Sequence, residues 1–320
     1  MNIPIDFSLG FENWYNKDLQ KWQEGISTKL LELVHYNNAP KGPFRIVETQ
    51  VKELDGVRQK RHMVEPPPWP AQPIYEIEPL HADNNGVTLI TFHGHGHDPF
   101  TGLYSYVREL SRRGYRVVMP ILFGKMERET MKMVYNSERD AKAVCASWSI
   151  EADTFGMSIL GIRLFDAMLA YRFAKTLPGV DTGRIGSIGL SMGGQFALYL
   201  PAIEPGIRCS VSAGFLASFK SALLDRRTFC QCYSICGWPQ YFDMSDIAGC
   251  IAPRPLQIQK GLDDGCLDPV DTKEAFFRLK RIYEAFKAPE RVQYVTYPGG
   301  HILNVDKAEE WFRIHVKHDN

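Results

Sequence analysis

The chain has 320 residues, 44% hydrophobic and 23% charged, enough for one large α/β domain with a sizeable core. Lys plus Arg and Asp plus Glu number 37 each, so net charge gives no footing for binding nucleic acid or an anionic membrane. No stretch approaches the roughly 18 apolar residues of a membrane span, and the N-terminus lacks the basic start and apolar block of a secretory signal. The seven cysteines, an odd number without a C-x-x-C pair, point to reduced thiols and a cytoplasmic location.

In chain order, residues 11–35 carry Trp14, Leu19, Trp22, Ile26, Leu30 and Leu31 at helical spacing and are predicted to form an amphipathic helix. "FRIVETQVK" (44–52) and "VRQKRHMV" (57–64) alternate apolar and polar residues around "LDG", the pattern of an antiparallel hairpin. "EPPPWP" (65–70) reads as a stiff connector. From "VTLITFHG" (87–94) the rhythm changes to continuous apolar runs that alternate with helical patterns. Predicted strands at 87–94, 115–121, 184–190, 209–215, 255–261 and 292–297 alternate with helices at 102–113, 157–177, 192–202, 272–287 and 305–316. That alternation implies a mostly parallel central sheet with helices on both faces. Residues 1–80 are expected to add a helix and antiparallel strands that extend this sheet, with 81–320 as the catalytic core. The stretch 122–156, after the fourth predicted strand, is long for a connector and has the length of a lid; a plain surface excursion is the other reading.

The chemistry concentrates at "SIGLSMGGQ" (187–195). Gly189-Leu190-Ser191-Met192-Gly193 fits G-x-S-x-G, placed between a predicted strand and a predicted helix. A serine on such a strained turn needs small residues two before and two after it, and the following helix N-terminus offers N–H groups to an oxyanion. A second oxyanion donor is expected from the loop "HGHGHD" (93–98) after the 87–94 strand. The amides of Met192 and His95 are assigned as the pair, with His93 fixing the loop by hydrogen bonding.

A base and an acid should follow in the order serine, acid, histidine. "YPGGH" presents His301 after a strand, and it is the one histidine between Ser191 and the final helix. The acid lies among Asp263, Asp264 and Asp268 in "GLDDGCLDP"; an aspartate not used as the acid could cap the next helix, a role that suits Asp268 before Pro269. His93, His95 and His97 alternate as metal ligands can, but the glycines between them suit a turn better. Cys230, Cys232 and Cys236 lack zinc-site spacing and read as buried free thiols. No metal and no cofactor are therefore expected.

"HGHG", "GIRLFDAMLAYRFAKTLPGVDTGRIGSIGLSMGGQ", "DIAGCIAPRPLQIQKG" and "YPGGH", in this order, resemble the α/β-hydrolase superfamily, more narrowly its dienelactone-hydrolase and acetyl-xylan-esterase-like serine esterases. The likeness covers residues 80–316. It implies the α/β-hydrolase fold, a serine esterase activity, a small-molecule ester as substrate, and an acid three positions after the strand-ending Gly261, which is Asp264. A homodimer is an open expectation. The serine nucleophile departs from the cysteine of dienelactone hydrolases proper, and "PILFGKMER" replaces the arginine-glycine turn common in carbohydrate esterases. His97 in the loop tail and Trp238, near Tyr241 and Phe242, are assigned to substrate contact, with core packing the alternative for Trp238. The rivals to ester cleavage are C–C bond or amide hydrolysis by the same triad, and a silent hydrolase-fold binding module.

Overall fold

The computed structural model describes residues 5–15, 17–81, 83–95, 105–124, 138–225 and 229–316, the first seven of α3 by backbone alone. Nine strands form one sheet in the order β1-β2-β3-β5-β4-β6-β7-β8-β9. They are β1 (Arg45–Leu54), β2 (Val57–Glu65), β3 (Gln72–Pro79), β4 (Thr88–Phe92), β5 (Arg116–Pro120), β6 (Ile185–Leu190), β7 (Cys209–Ala213), β8 (Leu256–Gly261) and β9 (Val292–Tyr297). From β5 to β9 every neighbouring pair is parallel, and β1 to β3 continue the sheet antiparallel from the β5 edge.

The hairpin follows from its turn. Leu54 pairs with Val57 across Asp55 and Gly56, whose φ values of 51° and 77° are the left-handed conformations a two-residue hairpin loop requires. β3 was not expected from the sequence. Its "QPIYEIEP" carries Gln72 and Glu76 inside, both under 3% exposed, so it does not alternate. Glu76 is buried because Lys60, His62 and Arg116 surround it.

The helices are α1 (Leu19–Leu33), α2 (Tyr106–Arg112), α3 (Glu138–Thr154), α4 (Ile159–Ala174), α5 (Met192–Ile203), α6 (Met244–Gly249), α7 (Pro269–Ala285) and α8 (Val305–His315). Two apolar layers sandwich the sheet. Val107 and Leu110 of α2 join Ala308, Trp311 and Phe312 of α8 on one face. Residues of α1 and α4 to α7 form the larger layer on the other. α5 is buried along nearly its whole length, as an apolar helix against a central strand should be. α3 comes from the stretch read as a lid, of which 125–137 lie outside the described residues. Among the described residues no single helix is long and apolar enough to cross a membrane.

The parallel block sends the C-terminal ends of β4, β6, β8 and β9 to one rim. Ligands bind there in open α/β sheets, and the loops after these four strands carry the candidate site residues.

Candidate active site

Ser191 sits between β6 and α5 with φ 62° and ψ −124°, a left-handed conformation forced on a non-glycine residue. Two glycines make the turn possible. A Cβ on Gly189 would lie 2.2 Å from the carbonyl oxygen of Gly193, and one on Gly193 would lie 2.1 Å from that of Phe92. The start of α5 therefore rests directly on the end of β4. This brings Gly193, next to Met192, against Phe92 and His93 at the start of the loop that holds His95.

That loop is fixed by its first histidine. The buried His93 ring takes the Leu122 amide on Nε2 at 3.0 Å and contacts the Gly94 carbonyl through Nδ1 at 3.0 Å. The pairing requires a neutral ring with the proton on Nδ1, an assignment made from partners. The His95 side chain turns the other way, toward cysteine sulfurs.

The loops of Asp264 and His301 are tied together. Asp263 donates its amide to the Gly299 carbonyl at 2.9 Å, and Leu262 donates to Tyr297 at 2.9 Å. Across this clasp His301 Nδ1 lies 3.0 Å from Asp264 Oδ2. Asp264 is 4% exposed, and its Oδ1 accepts the Cys266 amide at 2.9 Å. Asp268 instead accepts the Val270 amide at 2.7 Å and caps α7, so the structure separates the two aspartates.

The Ser191 backbone and the His301 ring both lie against the corner Ala213–Gly214. The Ser191 amide donates to the Ala213 carbonyl at 2.9 Å. A Cβ built on the next residue, Gly214, would lie 3.0 Å from Cε1 of His301 and 3.2 Å from Asp264 Oδ2. Serine and imidazole are thus neighbours of the same two-residue corner after β7. Both side chains are half-buried, open enough for substrate to reach.

Burial works against a charged imidazole, but the hydrogen bond and charge of Asp264, with the Cys266 thiol beside the ring, outweigh it and raise His301 to about 9. For Asp264 burial pushes up, and the His301 contacts, the Cys266 amide and Lys260 override it and hold the carboxyl at about 2. With the Nδ1 proton directed at Asp264, Nε2 carries the free lone pair, the arrangement of a general base.

Two contributors escaped the sequence reading. Lys260, 1% exposed in β8, donates to the backbone carbonyls of Asp264 and Leu267 at 2.7 and 2.9 Å and lies 3.4 Å from Asp264 Oδ2. In the sequence it is only a lysine near the end of a strand that also carries Gln257 and Gln259. Cys266 is exposed, and its sulfur lies within 4.8 Å of the facing atoms of Asp264 and His301. Trp238 is 4% exposed and packs on Phe219 and Phe7 at 5.0 and 6.1 Å between ring centres, which are the contacts of core packing. His97 lies outside the described residues.

Comparison with known proteins agrees with this architecture. Among solved structures, "Methylesterase BT1017" superposes with a TM-score of 0.71 at 17% identity, over 97% of this chain and 69% of that one. Acetyl Xylan Esterase 1 from Thermoanaerobacterium sp. JW/SL YS485 superposes with a TM-score of 0.60 at 16% identity, over 91% and 92%. At such identities the likeness is one of fold. "Putative hydrolase YtaP" of Bacillus subtilis (strain 168) is 27% identical over 150 residues, 46% of this chain, and the match spans half of that relative's length. The family model described as "Abhydrolase family" matches residues 5–304, so the chain belongs to the Abhydrolase family and has the α/β-hydrolase fold.

Proposed function

We propose that the protein is a serine hydrolase of small carboxylic esters. Ser191 is the nucleophile, His301 the base, and Asp264 the acid that orients it. The amides of Met192 and His95 hold the oxyanion. His301 Nε2 takes the Ser191 hydroxyl proton as Oγ bonds to the ester carbonyl carbon. The C=O electron pair moves onto oxygen, and the two amides stabilise the resulting negative charge. On collapse the C–O bond to the alcohol breaks, and His301 returns its proton to that oxygen. Water then repeats the steps on the acyl-serine, with the same imidazole as base, and frees the acid.

The single observation that carries the reading is the buried Asp264 carboxylate 3.0 Å from His301 Nδ1, at the corner where the Ser191 elbow is anchored. The names of the structural relatives, a methylesterase and an acetyl xylan esterase, support ester substrates with a small group on one side of the bond. The test is turnover of a panel of methyl, acetyl and longer acyl esters. Wild-type protein hydrolyses the short members, and Ser191→Ala, folded by circular dichroism, loses at least about 10⁴-fold in kcat. Wild-type turnover retained by Ser191→Ala would refute the assignment.

A further inference from the structure

Behind the oxyanion loop lies a second cluster of reactive groups that hydrolysis does not use. His95 Nε2 is 2.8 Å from Cys145 Sγ and 3.4 Å from Cys230 Sγ, and Cys230 Sγ is 2.7 Å from Cys232 Sγ. All four donor atoms lie within 4.8 Å of one another. They come from three separate places: the loop after β4, helix α3, and the turn Gln231–Tyr233 with Cys230 just before it. Sequence spacing conceals this, since Cys145 stands far from the C-x-C pair and His95 pairs as a metal ligand in the sequence only with His93 and His97. Cys236, grouped with that pair in the sequence, is exposed and outside the cluster.

We infer that His95, Cys145, Cys230 and Cys232 form a Cys₃His site for a zinc-class divalent ion that staples the oxyanion loop to α3.

The donor set decides the class of ion. Three thiolates and an imidazole are soft to borderline ligands that in tetrahedral array suit zinc. Bond lengths of about 2.3 Å to sulfur and 2.0–2.1 Å to nitrogen put neighbouring donors about 3.5–3.8 Å apart. The observed contacts reach that spacing by shifts on the order of 1 Å, smaller than a change of rotamer moves a sulfur atom. Charge fits as well. Three thiolates and one divalent ion leave a single negative charge, and the fully buried guanidinium of Arg163 faces the sulfurs of Cys232, Cys145 and Cys230. Around the site the His95 ring packs on Tyr233, which stacks on Phe229 at 4.4 Å. Four protein ligands close the coordination shell and leave no position for a reactive water, so the ion is structural. Its effect on catalysis rests on the proposed oxyanion role of the His95 amide. The metal content does not.

The test uses full-length, tag-free protein purified under reducing conditions. Elemental analysis is expected to find about one zinc per chain, and replacement by cobalt(II) to give intense near-ultraviolet thiolate charge-transfer bands with tetrahedral visible bands. Cys145→Ser and Cys232→Ser lose the ion. Cys266→Ser, from the other His/Cys/Asp grouping among the described residues, keeps it. Should the ligand variants fail to fold, wild-type protein decides alone: a chelator must raise the number of thiols open to alkylation, mapped by mass spectrometry to Cys145, Cys230 and Cys232. Folded wild-type protein that holds no metal and takes up neither zinc nor cobalt would overturn the inference. So would a Cys230–Cys232 disulfide, or an ion that survives loss of both Cys145 and Cys232. Ester turnover is scored separately, so failure of either claim leaves the other standing.

Discussion

His301 meets Asp264 through Nδ1 and Oδ2 at 3.0 Å, and that contact sets both the tautomer and the charge of the ring. Only the neutral ring can take the serine proton. With His301 raised to about 9, log kcat/KM for an uncharged ester should climb with pH and level off with a midpoint near 9. Asp264→Asn should move the midpoint down and cost on the order of 10⁴-fold in kcat. A variant that keeps a tenth of wild-type activity would remove Asp264 from its role. Stability runs the opposite way. The His301 contribution is complete below its ordinary value of 6.5 and is lost as pH rises through about 9. That of Asp264 is present above 3.8 and is lost as pH falls through about 2. The pair thus supports the fold best on the acid side of its catalytic range.

Lys260 braces the acid loop from beneath. Lys260→Met removes two hydrogen bonds to backbone carbonyls and leaves a buried carboxylate without its second cation. Breaking such a pair is expected to cost about 3–5 kcal/mol in chemical denaturation. The His301 midpoint should move up, because Asp264 then answers to the imidazole alone. Unchanged stability would mean that the loop holds itself.

Asp268 is among the acid candidates the sequence offers, and its capping bond to Val270 makes a separable expectation. Asp268→Ala should lower stability by about 0.5–2 kcal/mol, the usual worth of a helix N-cap, and leave kcat within about threefold. A collapse of turnover comparable to that of Asp264→Asn would transfer the acid role to Asp268.

Gly214 packs against the His301 ring, next to the Ala213 carbonyl that accepts the Ser191 amide. Its φ is +60°, and an added methyl would press on Cε1 and Nδ1 of His301 at 3.0 and 3.1 Å. Gly214→Ala should cost about 1–2 kcal/mol of stability for the left-handed backbone. Displacement of the ring should lower kcat by about 10²-fold, with KM nearly unchanged. Wild-type kcat in this variant would show that the imidazole position is not critical.

The tight turn at Ser191 and the loops of Asp264 and His301 were legible because each is a local pattern: glycines around Ser191, and a strand ending in glycine or followed by a glycine pair before each of the other two. β3 was hidden because Gln72 and Glu76 are buried on it, and the partners of Glu76, Lys60, His62 and Arg116, come from β2 and β5. Helix α6 is six residues long, too short to show a period. Lys260 looked like any lysine at a strand end until the sheet enclosed it. The sulfur cluster was illegible for a different reason. Its members meet only when α3 folds back over the loop after β4, and the identity of Cys145 says nothing of that.

A fluorophosphonate probe tests the central claim most directly, since it bonds to a serine hydroxyl only where a base and an oxyanion site activate it. The account predicts a single adduct, mapped by peptide mass spectrometry to Ser191, and none on Ser191→Ala. Folded wild-type protein that stays unlabelled after prolonged exposure, or an adduct on a different residue with Ser191 untouched, would contradict it.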